Sequence, residues 1–525
     1  MCGICARLGV QGRHNHDADA ANDFNLDVYA GGNFTYRGKR ILDQAGVIQQ
    51  IDSGNALRVS NNVITYTFLD KSHLVGLFNN PNYGFEAGIG LGSFSESQRI
   101  AAREAIGSWD ELIPQTFKET NGLGADIVFA NSADPAQAYA YYPGTKGWKF
   151  QSDVFIADPA LNWTNEWFTP GGYGNTTLIH ELGHSLGLSH PGRYNGAGAT
   201  TYLAQAEYAQ DSMQYSIMSY WSGSETGAST VNWTLFLNNY AQTPMLHDIL
   251  TIQSKYGADL TTRVGDSTYG FNNSTGKMVF DFAKNPFPYL SIYDAGGNDT
   301  LDLSGFNAGN FINLAPGSFS SVGQSVPTFE AINAARAAEG FGPITEATYT
   351  AVVNSRIASA ANKIAADTGV TGVLATGYDN LSIAYNTVIE NAIGGSARDV
   401  IWGNDAANRL EGRGGDDVLN GFNGADVLLG GAGNDTFQFS NLETVDRIAD
   451  WNAGDRIDLT KIDANSALAG DQAFAFIGSG AFTGTAGQLR YQDGLLQGDT
   501  NGDGIADFAV ALTGNPALAA TDILF

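Results

Sequence analysis

The chain has 525 residues, with 27 basic against 54 acidic side chains and a net charge of −27. Hydrophobic residues make up 43% and aromatics 11%, enough for a core, so wholesale disorder is excluded, and the acidic excess argues against binding nucleic acid through its phosphates. Glycine is the anomaly, 65 residues or about 12% against a usual ~7%; acid plus glycine with little lysine suggests a calcium-loaded protein.

Residues 1–25 are polar and irregular and read as a tail or propeptide. They hold both cysteines, Cys2 and Cys5, so a disulfide framework is not expected in the body of the chain. The opening residues lack the apolar stretch of a Sec signal, and without a run of 18 apolar residues no transmembrane helix is expected. From 26 to 260 the pattern mixes helix and strand. Ile64, Tyr66 and Phe68 alternate with threonines, as in a strand. Ser95 and Gln98 form a capping pair before Ala102, Ile106, Trp109 and Ile113, an amphipathic helix closed by Pro114. Residues 126–130 and 153–156 are short apolar strands, and a second helix is expected to start near Asn175 or Thr176, both good caps.

That helix carries HELGHSLGLSHP, His180 to Pro191. His180 and His184 leave one face a turn apart, so both can reach a single Zn²⁺. Gly187 lets the chain turn back and present His190 as the third ligand. Three histidines leave a coordination position for water, and Glu181 is placed to hydrogen-bond that water as a general base.

From 261 onward Gly, Asn and Asp dominate. Residues 394–438 are five consecutive nonapeptides of the RTX type, which implies a parallel β-roll. Ile401, Leu410, Leu419, Leu428 and Phe437 should fill its core. The carboxylates of Asp399, Asp417, Asp426 and Asp435, with turn positions Gly395, Gly412, Gly414, Gly421, Asn423, Gly430 and Ala432, are candidate Ca²⁺ ligands. Asn408, Ala397 and Arg413 break the repeat and put full occupancy in doubt. Residues 324–378 are Ala-rich and helical in pattern, a surface insertion packed on the solenoid. Residues 499–507 resemble the first half of an EF-hand loop without its closing Glu, since position 510 is Val510.

The histidine motif resembles that of the metzincin metalloproteases, with SerIleMetSerTyr (216–220) as the Met-turn and Met218 as the floor beneath the imidazoles. Pro191, the wording of 211–221 and 244–253, TyrGlyAlaAsp (256–259) and the repeats narrow the likeness to the serralysins. The resemblance implies an α+β chain: a metzincin-like zinc protease domain (26–260), then an all-β RTX β-roll and β-sandwich (261–525). It implies Tyr220 as a zinc-proximal residue that stabilises the oxyanion, and 138–142 as the edge strand that pairs with substrate. It adds Arg263, Gly265, Ser267, Asp294, Gly296, Gly297, Asp299 and Glu390 as calcium positions. AspIleLeuPhe (522–525) resembles the uncleaved signal of type I export. The expectation is a secreted monomeric endopeptidase with one catalytic Zn²⁺ and several structural Ca²⁺. Its partners would be protein or peptide substrates, a type I transporter and a proteinaceous inhibitor. Two rivals stand beside it: a calcium-binding surface or adhesion protein with a vestigial zinc site, and a dedicated surface-protein processing protease whose specificity lies in 324–378.

Overall fold

The protein's computed structural model describes residues 25–69, 90–121, 124–133, 137–144, 152–195, 200–441, 444–465 and 467–525. The tail or propeptide expected over 1–25, with Cys2 and Cys5, lies outside these residues except for Asn25. The described chain mixes helices with many strands, an α+β architecture. Among the described residues no helix is long and apolar enough to cross a membrane.

The first half is built on a five-stranded sheet in the order Thr116–Glu119, Val63–Phe68, Ile127–Ser132, Ser152–Ala157, Ala138–Ala140. Its first four strands run parallel, and the outermost, Ala138–Ala140, runs antiparallel to its neighbour. Two helices bury their apolar faces against it. Helix Glu96–Asp110 starts at the expected Ser95–Gln98 box. It stops at Asp110, short of Ile113, which is nonetheless fully buried. Its Trp109 donates Nε1–H to the carbonyl of Ile179 at 3.1 Å, which locks it to helix Tyr173–Ser185.

That second helix begins at Tyr173 with Gly172 as cap, not at Asn175 or Thr176. The loop before it folds over the helix start, so main-chain carbonyls do the capping: Gly174 N–H donates to Trp167 O at 3.1 Å. Asn175 instead donates to Phe168 O at 2.7 Å, and Thr176 to Ala241 O at 2.9 Å. The polar side chains therefore tie the helix to neighbouring loops.

The second half is a coil of short strands that feed two facing sheets. One is ten-stranded and the other six-stranded. Successive nonapeptides alternate between them, so neighbours within a sheet lie two repeats apart: Leu410 pairs with Leu428 in one, and Ile401 with Leu419 in the other, all in parallel register. The period of nine therefore aims one apolar residue of each repeat inward. Ile401, Leu410, Leu419, Leu428 and Phe437 are all fully buried in one core. Toward one edge of the ten-stranded sheet the strands Phe508–Leu512, Leu495–Asp499 and Gln488–Gln492 run antiparallel in turn, and Ala475–Phe476 closes that edge in parallel.

The Ala-rich stretch forms two helices, Phe329–Ala338 and Glu346–Thr368. Ala360 and Ile364 pack on Phe311, Val400, Trp402 and Val418 of the roll. Polar contacts reach the first half as well: Arg336 donates to Leu235 O at 2.7 Å, and Lys363 to Gly227 O.

Candidate metal centre and carboxylate ladders

The histidine helix brings His180 and His184 onto one buried face. Gly187, at φ +93°, then reverses the chain, and a Cβ there would collide with Asn55 O. Ser189 N–H closes the turn on Ile51 O at 2.6 Å and sets His190 opposite the other two rings. Among the described residues this trio is the only group of three or more His, Cys, Asp or Glu side chains whose ligand atoms lie within 4.8 Å of one another.

The protonation state follows from the partners. Nδ1 of His180 lies 2.8 Å from Ile217 O, that of His184 2.8 Å from Leu188 O, and that of His190 3.0 Å from Tyr194 O. A carbonyl can only accept, so each Nδ1 carries the proton and each Nε2 presents a lone pair. The Nε2 atoms of His180 and His184 then face that of His190 at 3.2 and 3.0 Å. Lone pairs this close repel unless a cation lies between them. A tetrahedral ion ~2.0–2.1 Å from each nitrogen would space them about 3.3 Å apart, so the donor set fits zinc. Burial keeps the rings neutral, lowering His180 to about 4 and His190 to about 3; His184 is lowered too, by burial and by its two neighbours.

Glu181 is buried beside them, and burial raises its carboxyl to about 8 against the opposing amide of Ala140. Its Oε2 is buried with no hydrogen-bond partner. It opens into a cleft of 370 Å³ lined also by His184, His190, Tyr220 and the outermost strand, Ala138–Ala140. Tyr220 is 39% exposed and its ring lies 4.5 Å from that of His190.

Met218 is fully buried under the helix, and a Cβ on Gly183 would stand 2.5 Å from its Sδ. Two carboxylates that the sequence reading did not single out hold this floor. Asp248 accepts from Ser216 Oγ and Ile217 N, both at 2.6 Å, and from Met245 N at 2.8 Å. Asp211 accepts from Tyr194 Oη and Ser219 Oγ, both at 2.7 Å. Tyr194 is also the residue whose carbonyl fixes His190, so Asp211 positions the third ring from behind. Burial raises both acids to about 6. Nothing in their spacing announces them; the one sequence signal is the acid that follows His247 at the start of helix Leu246–Tyr256.

In the roll, one oxygen of each repeat carboxylate accepts the backbone N–H of the residue two repeats earlier. Asp417 accepts from Asp399 N at 2.8 Å, Asp426 from Asn408 N at 2.8 Å, and Asp435 from Asp417 N at 3.0 Å. The second oxygen of Asp417, Asp426, Asp435 and Asp299 is buried without a partner. Carbonyls crowd the same turns: Gly430 O lies 2.7 Å from where a Cβ of Gly412 would be, and Gly265 O 2.7 Å from one on Gly297. Orphaned carboxylate oxygens among inward carbonyls are the donor set of a hard cation. The ladders run past the repeats to Asp446 and Asp455, which accept from Asp426 N at 2.9 Å and Asp435 N at 3.0 Å. A two-residue shift in spacing hid them from the nonapeptide pattern.

Other expected calcium positions are arranged differently. Both oxygens of Asp399 are engaged, by Asn310 N–H at 2.7 Å and Gly395 N–H at 2.5 Å. Asn408 donates Nδ2–H to Glu390 O at 3.0 Å, closing its turn with a proton donor. Asp294 accepts from Tyr269 Oη at 2.7 Å and Gly296 N at 2.9 Å. Glu390 accepts from Asp299 N at 2.8 Å, and Ser267 N–H donates to Asp299 at 2.7 Å. The Arg263 guanidinium bridges Tyr269 Oη at 2.8 Å and Glu111 at 2.8 Å. The Ala432 carbonyl accepts from Gly415 N at 3.0 Å, Gly414 pairs with Ala432, and the Asn423 amide turns outward to Asp405 at 2.6 Å. Gly421 lies against Asp426. The EF-hand-like loop satisfies itself: Asp499 accepts from Gly502 and Gly504 N–H, and Asp507 from Thr500 and Asn501.

Residues 258–333 and 355–525 match the family described as peptidase M10 serralysin C terminal. The metallopeptidase AprA of Pseudomonas marginalis is 36% identical over 93% of this chain and 93% of its own. The chain belongs to the serralysin family of metalloproteases. AprA of Pseudomonas entomophila (36% identical; 88% of this chain, 84% of its own) and the serralysin of Proteus mirabilis (36%; 60% and 56%) agree. It is therefore a metalloendopeptidase acting on protein substrates, and its three-imidazole cluster could hold a metal ion. Residues 334–354, within the two-helix insertion, fall outside the family match.

Two outcomes follow. Asp248→Ala strands the Ser216, Ile217 and Met245 donors in a dry interior and should cost ~3–5 kcal/mol in chemical denaturation; a loss below ~1 kcal/mol would show that Asp248 does not hold the Met218 turn. Burial and neighbouring carboxylates raise Asp417 to about 8, Asp426 to about 7 and Asp435 to about 6. The folded roll thus keeps protons that the unfolded chain releases near pH 4, so cation-free stability falls as pH rises between about 4 and 8. Melting in chelator should move to lower temperature from about pH 5 to pH 8, and a rise would contradict the assignment.

Proposed function

We propose that this metalloprotease is a secreted, zinc-dependent, calcium-stabilised endopeptidase. Its catalytic half (26–260) would have the metzincin fold, and its second half (261–525) would be an RTX β-roll and β-sandwich. One observation carries the reading: three imidazole lone pairs converge beside a buried carboxyl group with one unpartnered oxygen, in a cleft walled by the outermost strand of a sheet.

His180, His184 and His190 would hold zinc through Nε2, and the ion supplies the Lewis acidity that acidifies a water and polarises the scissile carbonyl. The remaining work falls to the chain. Strand Ala138–Ala140 takes the substrate backbone as an added strand. Glu181 accepts the proton of the attacking water, aided by the apolar burial that makes its carboxylate more basic. It then passes that proton to the departing amine. Tyr220 swings its phenol to donate to the oxygen that gains negative charge during attack. The Nδ1–H bonds to three carbonyls hold the rings throughout, so no reorganisation is needed at the moment of reaction.

Calcium would be held by Asp417, Asp426, Asp435 and Asp299 with carbonyls such as those of Gly430 and Gly265. Their unpartnered oxygens and upward-shifted carboxyls support this, because a cation replaces the protons that burial otherwise forces onto them. Ile523–Leu524 pairs in parallel with Arg456–Asp458 as the edge strand of the six-stranded sheet, and Ile523 is buried. Phe525 stays exposed, so an export signal in 522–525 would be free along its whole length only in an unfolded roll. That fits passage through a type I transporter in a calcium-poor cytoplasm and folding outside by mass action.

Glu181→Ala should leave the fold and zinc content intact while casein hydrolysis drops by at least ~10²-fold. Hydrolysis within a few-fold of wild type, at equal zinc content, would remove Glu181 from the mechanism.

A further inference from the structure

The outermost strand does not end in open solvent. Just before it, Gln137 is pinned on every side: its Nε2 donates to Asn165 Oδ1 at 2.6 Å and to Thr177 Oγ1 at 3.0 Å, its Oε1 accepts from Asn162 Nδ2 at 2.6 Å, and its carbonyl accepts from Ala157 N at 2.7 Å. Thr177 is one helical turn before Glu181, ~6 Å along the axis. Asn165 belongs to the short helical turn Trp163–Glu166. The strand that walls the cleft is thereby joined directly to a loop carrying two tryptophans.

Those tryptophans form a platform. Trp163 and Trp167 stack with centroids 6.2 Å apart at 27°, and Trp163 is 58% exposed. Phe341, from the insertion and outside the family match, closes the third side at 5.8 Å from Trp163 and 6.4 Å from Trp167. Phe341 is itself held in place. Arg336 lies over its ring at 5.6 Å, and the same guanidinium bonds Gly342 O and Leu235 O, both at 2.7 Å. An aromatic cluster braced in this way, with its largest ring exposed, has a fixed face and little entropy to lose on contact.

We propose that Trp163, Trp167 and Phe341 form a distal substrate subsite that receives an apolar or aromatic side chain of the polypeptide under cleavage. The occupant follows from continuity. A peptide paired along Ala138–Ala140 and advancing ~3.3 Å per residue passes Gln137 about three residues beyond the point opposite Ala140, whose amide faces Glu181. Continued in the same direction, it runs toward the loop that Gln137 holds, which carries the two tryptophans. The proposal rests on the peptidase reading and on edge-strand pairing, and adds the chemistry selected and its distance from the scissile bond. The insertion then acts on specificity without touching the metal centre.

The test uses the full-length, calcium-replete protein with Trp163→Ala, Phe341→Ala and the conservative Phe341→Tyr. Substrates are two peptide sets with one cleavage sequence: short ones ending two residues from the scissile bond on either side, and long ones with Trp, Leu or Ser scanned from the third to the sixth position on each side. Wild type should prefer Trp or Leu over Ser at a distal position on one side only. Trp163→Ala and Phe341→Ala should lose about three- to tenfold in kcat/KM on those long peptides, through KM. The short peptides should be cleaved unchanged, and Phe341→Tyr should retain the preference. Equal losses on short and long peptides would make the cluster purely structural, and no loss on either would make it irrelevant; both overturn the subsite while leaving the peptidase reading standing. If wild type cleaves neither set nor casein, the peptidase reading itself has failed and the subsite goes with it.

Discussion

Each of the three histidines spends its Nδ1 proton on a main-chain carbonyl, and the rest of the site depends on that. The bond fixes the tautomer and the ring plane together, leaving three Nε2 lone pairs pointed at one small volume. The three carbonyls belong to different pieces of chain: Ile217 in the Met218 turn, Leu188 just past the helix, and Tyr194 in the following loop. Asp248 holds the first through Ser216 and Ile217, Asp211 holds the third through Tyr194, and Met218 closes the space below Gly183. Two buried acids, each raised by burial and steadied by donated hydrogen bonds, thus serve the metal centre without facing it.

The roll solves a related problem with the opposite charge. Its carboxylates are buried by the same nine-residue period that buries its leucines. One oxygen of each is used to brace the neighbouring turn, and the other is left bare. Burial of unpartnered anions opposes folding, so the fold's stability becomes conditional on protons or on a hard cation. The first half is built around an apolar core, and most of its buried histidines and acids are those of the three-imidazole cluster and the carboxyls beside and behind it.

Much of this was legible in the residues. The helix spacing of His180 and His184, the bend at Gly187 and the nine-residue phase are local patterns, and the structure places those residues where local geometry puts them. The start of the histidine helix was misread because its caps are main-chain carbonyls of a loop folded over it, which leave no polar signature. Asp211 and Asp248 were invisible for a different reason: apart from Met245, their partners are 8 to 32 residues away and become neighbours only through tertiary folding. Asp446 and Asp455 escaped because the ladder follows spatial stacking, which tolerates a two-residue shift that a fixed period does not. The aromatic platform joins residues about 175 positions apart, one of its three rings in an insertion whose alanine-rich composition announces helix and nothing more.

The account stands on the identity of what lies between the three imidazoles. X-ray absorption at the zinc edge, with metal quantitation on the purified calcium-replete protein, addresses it most directly. One zinc per chain with three imidazole nitrogens at ~2.0–2.1 Å is the expected result, and it should vanish in His190→Ala while the fold persists. A folded protein with no stoichiometric transition metal, or zinc in a shell without imidazole, would contradict it.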